Sequence, residues 1–177
     1  TGPPSSLEDP RTLHSTTPLQ ELKSHQEAKA LLYDIEHYFL SVEPSSPALL
    51  LVHQARTLVG RPLVEAIEAF APTRLDSARI IVDPANGFAI GFERMRQLSL
   101  AVSSTAAGME AESHDPVAVG KAITIRDVAV SSMLSVERFL GAVEPSSPTP
   151  LLLAKARALM TKDFAGLLKE ILATTTP

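Results

Sequence analysis

Four serines are the residues whose type and position are best suited to nucleophilic chemistry. They lie in two copies of the pentapeptide Glu-Pro-Ser-Ser-Pro, which are 101 residues apart (144 minus 43). A serine nucleophile needs a neighbouring general base and, in many hydrolases, a Gly-x-Ser-x-Gly turn. The sequence has no such turn, and no histidine stands at corresponding places beside the two copies. We therefore predict that the serines cap helices and that the chain has no catalytic residue. The two copies comprise Glu43, Pro44, Ser45, Ser46 and Pro47, and Glu144, Pro145, Ser146, Ser147 and Pro148.

The histidines and glycines also lack the spacing of a metal or nucleotide site. The sequence contains no His-Glu-x-x-His, and no histidine recurs in both halves of the chain. Gly87 and Gly91 do not have the spacing of a phosphate-binding loop. We predict neither a bound metal nor a cofactor. The histidines considered are His14, His25, His37, His53 and His114.

Composition argues against several classes of protein. The chain has 177 residues, of which 45% are hydrophobic and none is cysteine, so we expect an aliphatic core without disulfides. A net charge of −4 argues against nucleic acid as a partner. No apolar run approaches the roughly 18 to 20 residues of a membrane-spanning helix, so we expect a soluble chain without membrane insertion. The sequence begins at Thr1 without a charged or apolar leader, and we interpret it as a fragment of a longer protein without a signal peptide.

Hydrophobic periodicity divides the chain into a polar tail and a helical domain. Residues 1–18 are rich in Pro, Ser and Thr, which predicts a linker or disordered tail, whereas residues 19–177 should form the helical domain. Within it, residues 24–71 form a first module in which apolar residues, Leu50 among them, are expected to face inward. The helices predicted for this module are 26–42, 47–59 and 62–70.

A β-hairpin and a further helix are predicted over residues 78–104. Two short β-prone runs flank Asn86-Gly87, and this dipeptide is the strongest short-range signal for a hairpin. Helical spacing resumes at Met95, and residues 103–117 are polar enough to predict a loop.

The second half of the chain repeats the first module. Aligning residues 43–59 with residues 144–160 gives ten identities in 17 positions, five in the pentapeptide and five in the helix that follows it. Together with a predicted helix cap at Thr124 and Asp127, this indicates a second module over residues 124–173. The predicted fold is therefore mainly α, with internally duplicated three-helix units and one small β-hairpin between them.

One charged pair recurs in both modules. Glu43 and Arg56 are 13 residues apart, as are Glu144 and Arg157. If the flanking helices fold back on each other, the two charges can approach. We therefore formulate the hypothesis that each pair latches its helix corner.

The duplicated blocks resemble the C-terminal region of the TssA (ImpA-related) proteins of bacterial type VI secretion systems. The resemblance rests on an acidic residue and an alanine early in a helix, then Glu-Pro-Ser-Ser-Pro, Leu-Leu, Ala-Arg and a final apolar helix, over residues 24–71 and 125–173. In that family this region is similar to a helical oligomerisation domain that builds rings at the baseplate and at the growing end of the contractile sheath. The resemblance implies a structural, non-enzymatic protein of the bacterial cytoplasm, whose partners are further copies of itself and the baseplate, tube and sheath.

The sequence is compatible with two modes of action. In the first, the duplication carries within one polypeptide a pairing of equivalent helices, and chains contact each other through terminal apolar residues. In the second, the chain is a monomeric helical adaptor that binds a partner peptide or protein in a groove between its halves. The residues expected at the contact between chains are Phe164, Leu167, Leu168 and Ile171.

Overall fold

A computed structural model describes residues 18–107 and 122–172 of the chain. Within these ranges the fold is mainly helical, with one two-stranded antiparallel hairpin, which confirms the predicted fold class. The predicted tail falls outside the described residues, except for Pro18. The elements are α1 (His25–Val42), α2 (Pro47–Leu58), α3 (Leu63–Phe70), a short 3-10 helix (Pro72–Ser77), β1 (Arg79–Asp83), β2 (Phe88–Gly91), α4 (Phe92–Ala107), α5 (Arg126–Val143), α6 (Thr149–Met160) and α7 (Phe164–Ile171).

The helix boundaries reproduce the sequence repeat. Adding 101 to the bounds of α1 gives the bounds of α5, and adding 101 to the bounds of α3 gives those of α7. Helix α6 is displaced by one residue from the position that α2 predicts. At the end of α2, Gly60 takes a positive φ of 69°, the left-handed conformation of a residue just past a helix end. The equivalent Thr161 instead stays in the right-handed helical region, and α6 continues one residue further.

The first helix of each module begins differently. The Ser24 hydroxyl accepts a hydrogen bond from the backbone N–H of Glu27, and the Glu27 carboxylate accepts one from the N–H of Lys23. The predicted second cap at Thr124 was wrong, because Ile125 occupies the cap position of α5 and no side chain accepts a hydrogen bond there. Isoleucine has no side-chain oxygen, so this helix start depends on tertiary packing rather than on a cap.

Four helices, α1, α2, α5 and α6, enclose the hydrophobic core. The most extensive contact between elements is that of α2 with α6, and α1 also packs against α5. Leu50 does not contribute to this core as expected, since 73% of its surface is exposed. It lies about 200° around the helix axis from the buried Ala48, on the opposite face of α2. The largest fully buried apolar side chains are Phe39, Leu32, Ile35, Met133, Leu140, Leu153, Val52 and Val136.

The segment between the modules packs on α3. The turn of the hairpin is held by Asp83, whose carboxylate accepts hydrogen bonds from the backbone N–H of Ala85 and the side-chain amide of Asn86, while Gly87 takes a φ of 72°. These bonds hold the pKa of the Asp83 carboxyl below its usual value. Helix α4 then extends to Ala107, so the predicted loop does not begin at residue 103 as expected. The rest of that predicted loop, up to residue 117, falls outside the described residues.

Among the residues that the structure describes, no helix combines the length and the apolar character needed to cross a membrane.

Candidate interaction site

The two Pro/Ser corners are helix breaks, and one serine of each corner accepts a hydrogen bond from the start of the next helix. Pro47 is the first residue of α2, and the Ser46 hydroxyl accepts a hydrogen bond from the backbone N–H of Ala48 at 3.3 Å. In the second module the Ser147 hydroxyl accepts a bond from the N–H of Thr149 at 3.4 Å. These two hydroxyls therefore stabilise the start of the helix that follows each corner.

The predicted latch, in which Arg56 pairs with Glu43 and Arg157 with Glu144, was wrong. Arg56 pairs with Glu36 rather than Glu43, and Arg157 pairs with Glu137 rather than Glu144. In an antiparallel helix hairpin, facing residues are about equally far from the corner. Glu36 and Arg56 are each about ten residues from the corner, whereas Glu43 is about 10 Å further along its helix, at 1.5 Å per residue.

Both observed pairs join the first two helices of a module and are partly buried. The Arg157 guanidinium donates two hydrogen bonds to Glu137, from Nε at 2.6 Å and from Nη2 at 2.8 Å. These bonds raise the pKa of Arg157. Burial raises the pKa of the Glu36 carboxyl, but hydrogen bonds from Arg56 and His53 outweigh burial and hold this pKa below its usual value.

The corner glutamates instead join the two modules. Glu43 pairs with Arg126 at 3.3 Å, and Glu144 contacts His25 at 2.9 Å. His25 and Arg126 are themselves 101 residues apart, so the start of each module contacts the corner of the other. This reciprocity is the pattern of a two-fold symmetric interface, here formed within one chain. Glu43 also accepts a hydrogen bond from the buried Tyr38 hydroxyl at 2.9 Å, and burial together with this bond raises the pKa of Tyr38.

A buried hydrogen bond lies at the centre of the same interface. The Thr149 hydroxyl, at the start of α6, donates to the backbone carbonyl of Ala55 in α2 at 3.3 Å. Thr149 is fully buried, and its counterpart in the first module is Ala48. The interface is therefore symmetric in its helices but not in this contact.

Helix α7 presents a bare apolar face. None of its residues is buried, and none of the larger contacts between elements in residues 18–107 and 122–172 involves it. The exposed fraction is 74% for Phe164, 41% for Leu168 and 62% for Ile171, and Leu167 is half-buried. Lys155 of α6 and Lys162 just before α7 form ion pairs with Glu170, and these pairs hold the pKa of the Glu170 carboxyl below its usual value.

Helix α3, the counterpart of α7 in the first module, is partly covered. It buries Val64 and Ala66, and it contacts α4 and the short 3-10 helix. An apolar groove of about 470 Å³ remains open beside it, between α3, the hairpin and α4. Glu144 of the second module is also among the residues that line this groove. The apolar residues that line the groove are Pro62, Leu63, Val64, Ile80, Ile90, Met95, Leu98 and Val102.

The charged contacts within and between the modules were not predicted from the sequence. Glu36 and Glu137 carried a usable signal, since both are glutamates that lie 20 residues before an arginine of the repeat. His25 and Arg126 differ in type, so the repeat alone did not mark them as equivalent. In the described ranges no group of three or more His, Asp or Glu side chains is placed to hold a metal ion. His14 and His114 fall outside those ranges.

Comparison with protein-family models, with curated proteins and with solved structures finds no match to this chain.

Proposed function

We propose that this chain is a structural, non-enzymatic oligomerisation domain of a TssA-like type VI secretion component. It contributes to a ring that helps to assemble or cap the baseplate, the tube and the contractile sheath. The observation that carries self-association is the bare face of α7, on which Phe164, Leu168 and Ile171 are exposed. A large apolar patch on a soluble domain typically marks an interaction surface.

The internal pairing of the modules supports a scaffold role. Two single-copy modules that paired through α1 and α2 would form a two-fold dimer, and this chain makes that contact within one polypeptide. An assembly of such chains needs half as many polypeptides for the same number of modules. The apolar surface left over is then available for contacts between chains.

The type VI assignment is supported by the residues of the repeat. Its Pro/Ser corners, the Leu-Leu and Ala-Arg positions and the final apolar helix follow the pattern of the TssA C-terminal region. Ser46 caps α2, and Ser147 accepts a hydrogen bond near the start of α6, which is consistent with a role in shape rather than in chemistry.

The oligomeric mass of the purified chain tests the proposal. Native mass spectrometry between about 1 and 50 μM should show a closed oligomer, and negative-stain images should show rings. Leu168→Lys should weaken the assembly, because it places a charge on the α7 face. Leu40→Lys is the matched control, since Leu40 is an exposed leucine on α1 and should leave the mass unchanged. A monomer throughout this range contradicts the proposal.

The groove beside α3 favours a second candidate, a monomeric helical adaptor. Its volume of about 470 Å³ and its apolar lining suit the side chains of an amphipathic partner helix. An adaptor stays monomeric at all these concentrations, so the same mass measurement separates the two functions.

A further inference from the structure

We infer that α7 of one chain docks in the apolar groove beside α3 of a second copy, so that copies associate head to tail. The inference rests on the proposed self-association and adds the identity of the two surfaces that meet. A contact between two different surfaces of the same chain is heterologous, and its repetition produces a ring when the rotation closes.

The α7 side has the pattern of a helix that binds in a groove. Phe164, Leu168 and Ile171 occupy positions i, i+4 and i+7, so that their side chains share one face over two turns. This is the spacing of the anchor residues in helix-in-groove recognition. All three side chains are exposed in the single chain. Lys155 and Lys162 pair with Glu170 on α7, and a helix that is already formed in the single chain loses less entropy on docking.

The groove side has a matching character. Its volume of about 470 Å³ lies within the roughly 300 to 1,000 Å³ of sites that bury a ligand-sized apolar group. Leu98 on α4 and Ile80 on β1 line the groove and remain 40% and 46% exposed. No residue of α7 lines the groove within the described chain, so α7 of the same chain is not its occupant.

The internal symmetry of the chain identifies α7 of a second copy as the occupant of the groove. The repeat supplies two equivalent third helices, α3 and α7, and within residues 18–107 and 122–172 the segment that contains the short 3-10 helix and α4 packs on α3 and not on α7. That segment lies on α3, which leaves α7 without an equivalent neighbour in the described chain. Docking α7 against α4 and the hairpin of a second copy gives both third helices the same kind of apolar neighbour. It also fills the groove and covers α7 in one contact.

Because the chain has no cysteine, disulfide cross-linking can test this contact directly. Leu168→Cys places a thiol on α7, and Ser99→Cys places one in the lining of the groove. An equimolar mixture of the two variants should form a disulfide-linked dimer under mild oxidation, whereas each variant alone should not. The double variant should form a ladder of longer covalent chains. Leu40→Cys mixed with Ser99→Cys is the matched control and should give no cross-link.

Self-linking of Leu168→Cys alone would overturn the inference, because it would show a symmetric contact between two α7 helices. A second variant tests the groove side of the contact without introducing a cysteine. Leu98→Lys should weaken self-association at least about tenfold, as expected for an anchor site at an interface, and should leave the helical circular dichroism unchanged. Unweakened assembly of Leu98→Lys would also overturn the head-to-tail contact while the proposed oligomerisation stands. A monomeric unmodified chain would reject both.

Discussion

The ion pair between Arg157 and Glu137 is the contact whose coupling free energy can be predicted most sharply. The guanidinium donates two hydrogen bonds to Glu137, and the two side chains are 30% and 14% exposed. Two unit charges about 4 Å apart near a protein surface attract by about 4 kcal/mol, but the loss of hydration and of side-chain freedom offsets most of this. An exposed ion pair contributes about 0 to 1 kcal/mol to the free energy of unfolding. Because the Arg157 guanidinium makes two hydrogen bonds to the same carboxylate, we place this pair at the upper end of that range. We expect a coupling free energy of about 1 kcal/mol.

A double-mutant cycle with Glu137→Gln and Arg157→Met measures this coupling. The free energy of unfolding is obtained for the four proteins from urea titrations followed by circular dichroism at pH 7 and low salt. All four are compared at the same protein concentration, because self-association adds to the apparent stability. Raising the salt concentration to about 1 M should reduce the coupling, because the pair is only partly shielded from solvent.

The matched control is a cycle with Glu144→Gln and Arg157→Met. Glu144 contacts His25 in the structure and not Arg157, so its coupling to Arg157 should lie within about 0.3 kcal/mol of zero. A coupling below about 0.3 kcal/mol for Glu137, or an equal coupling for Glu144, would refute the antiparallel register from which the pair is derived.

Three further changes test other contacts. Glu36→Gln should remove more stability at pH 7 than in acid: the native pKa of this carboxyl is lowered, so its contribution is present above about pH 4.5 and is lost as pH falls through the native pKa, as urea titrations at several pH values will show. Thr149→Val should lower the free energy of unfolding by about 1 kcal/mol, because the carbonyl of Ala55 loses a buried donor; an unchanged urea midpoint would contradict this bond. His25→Arg makes the contact with Glu144 chemically equivalent to its counterpart in the other module, and it should raise the unfolding free energy by no more than about 0.5 kcal/mol; a loss above about 1 kcal/mol by the same titration would argue against the reciprocal contact.

Local rules predicted the elements because the relevant residues are neighbours in the sequence. Pro44 and Pro47 end one helix and begin the next, and Asn86-Gly87 predicted the hairpin that the structure contains. The identity of the repeat was sufficient to predict two three-helix units. The errors lie where local chemistry was ambiguous: Thr124 was taken as a cap although the cap position falls on Ile125, and the polar residues from 103 onward were taken as a loop although α4 includes residues 103–107.

The candidate site was predicted only in part. The apolar side chains of α7 were expected at a contact between chains, and the structure leaves Phe164, Leu168 and Ile171 exposed. The groove beside α3 was not predicted, because its lining comes from three elements that are separated in the sequence. The same reason explains the wrong latch partners, since the spacing of 13 residues is compatible with several registers of the helix hairpin.

The sequence by itself determined the type and order of the α-helices and of the hairpin, the position of the corners and the existence of two equivalent modules, because helix periods, prolines and caps act over a few residues. The tertiary structure alone decided which charges pair, how the modules contact each other and which apolar faces remain uncovered. Those outcomes depend on the distance and orientation between helices, which long-range packing of the core fixes and no local pattern specifies.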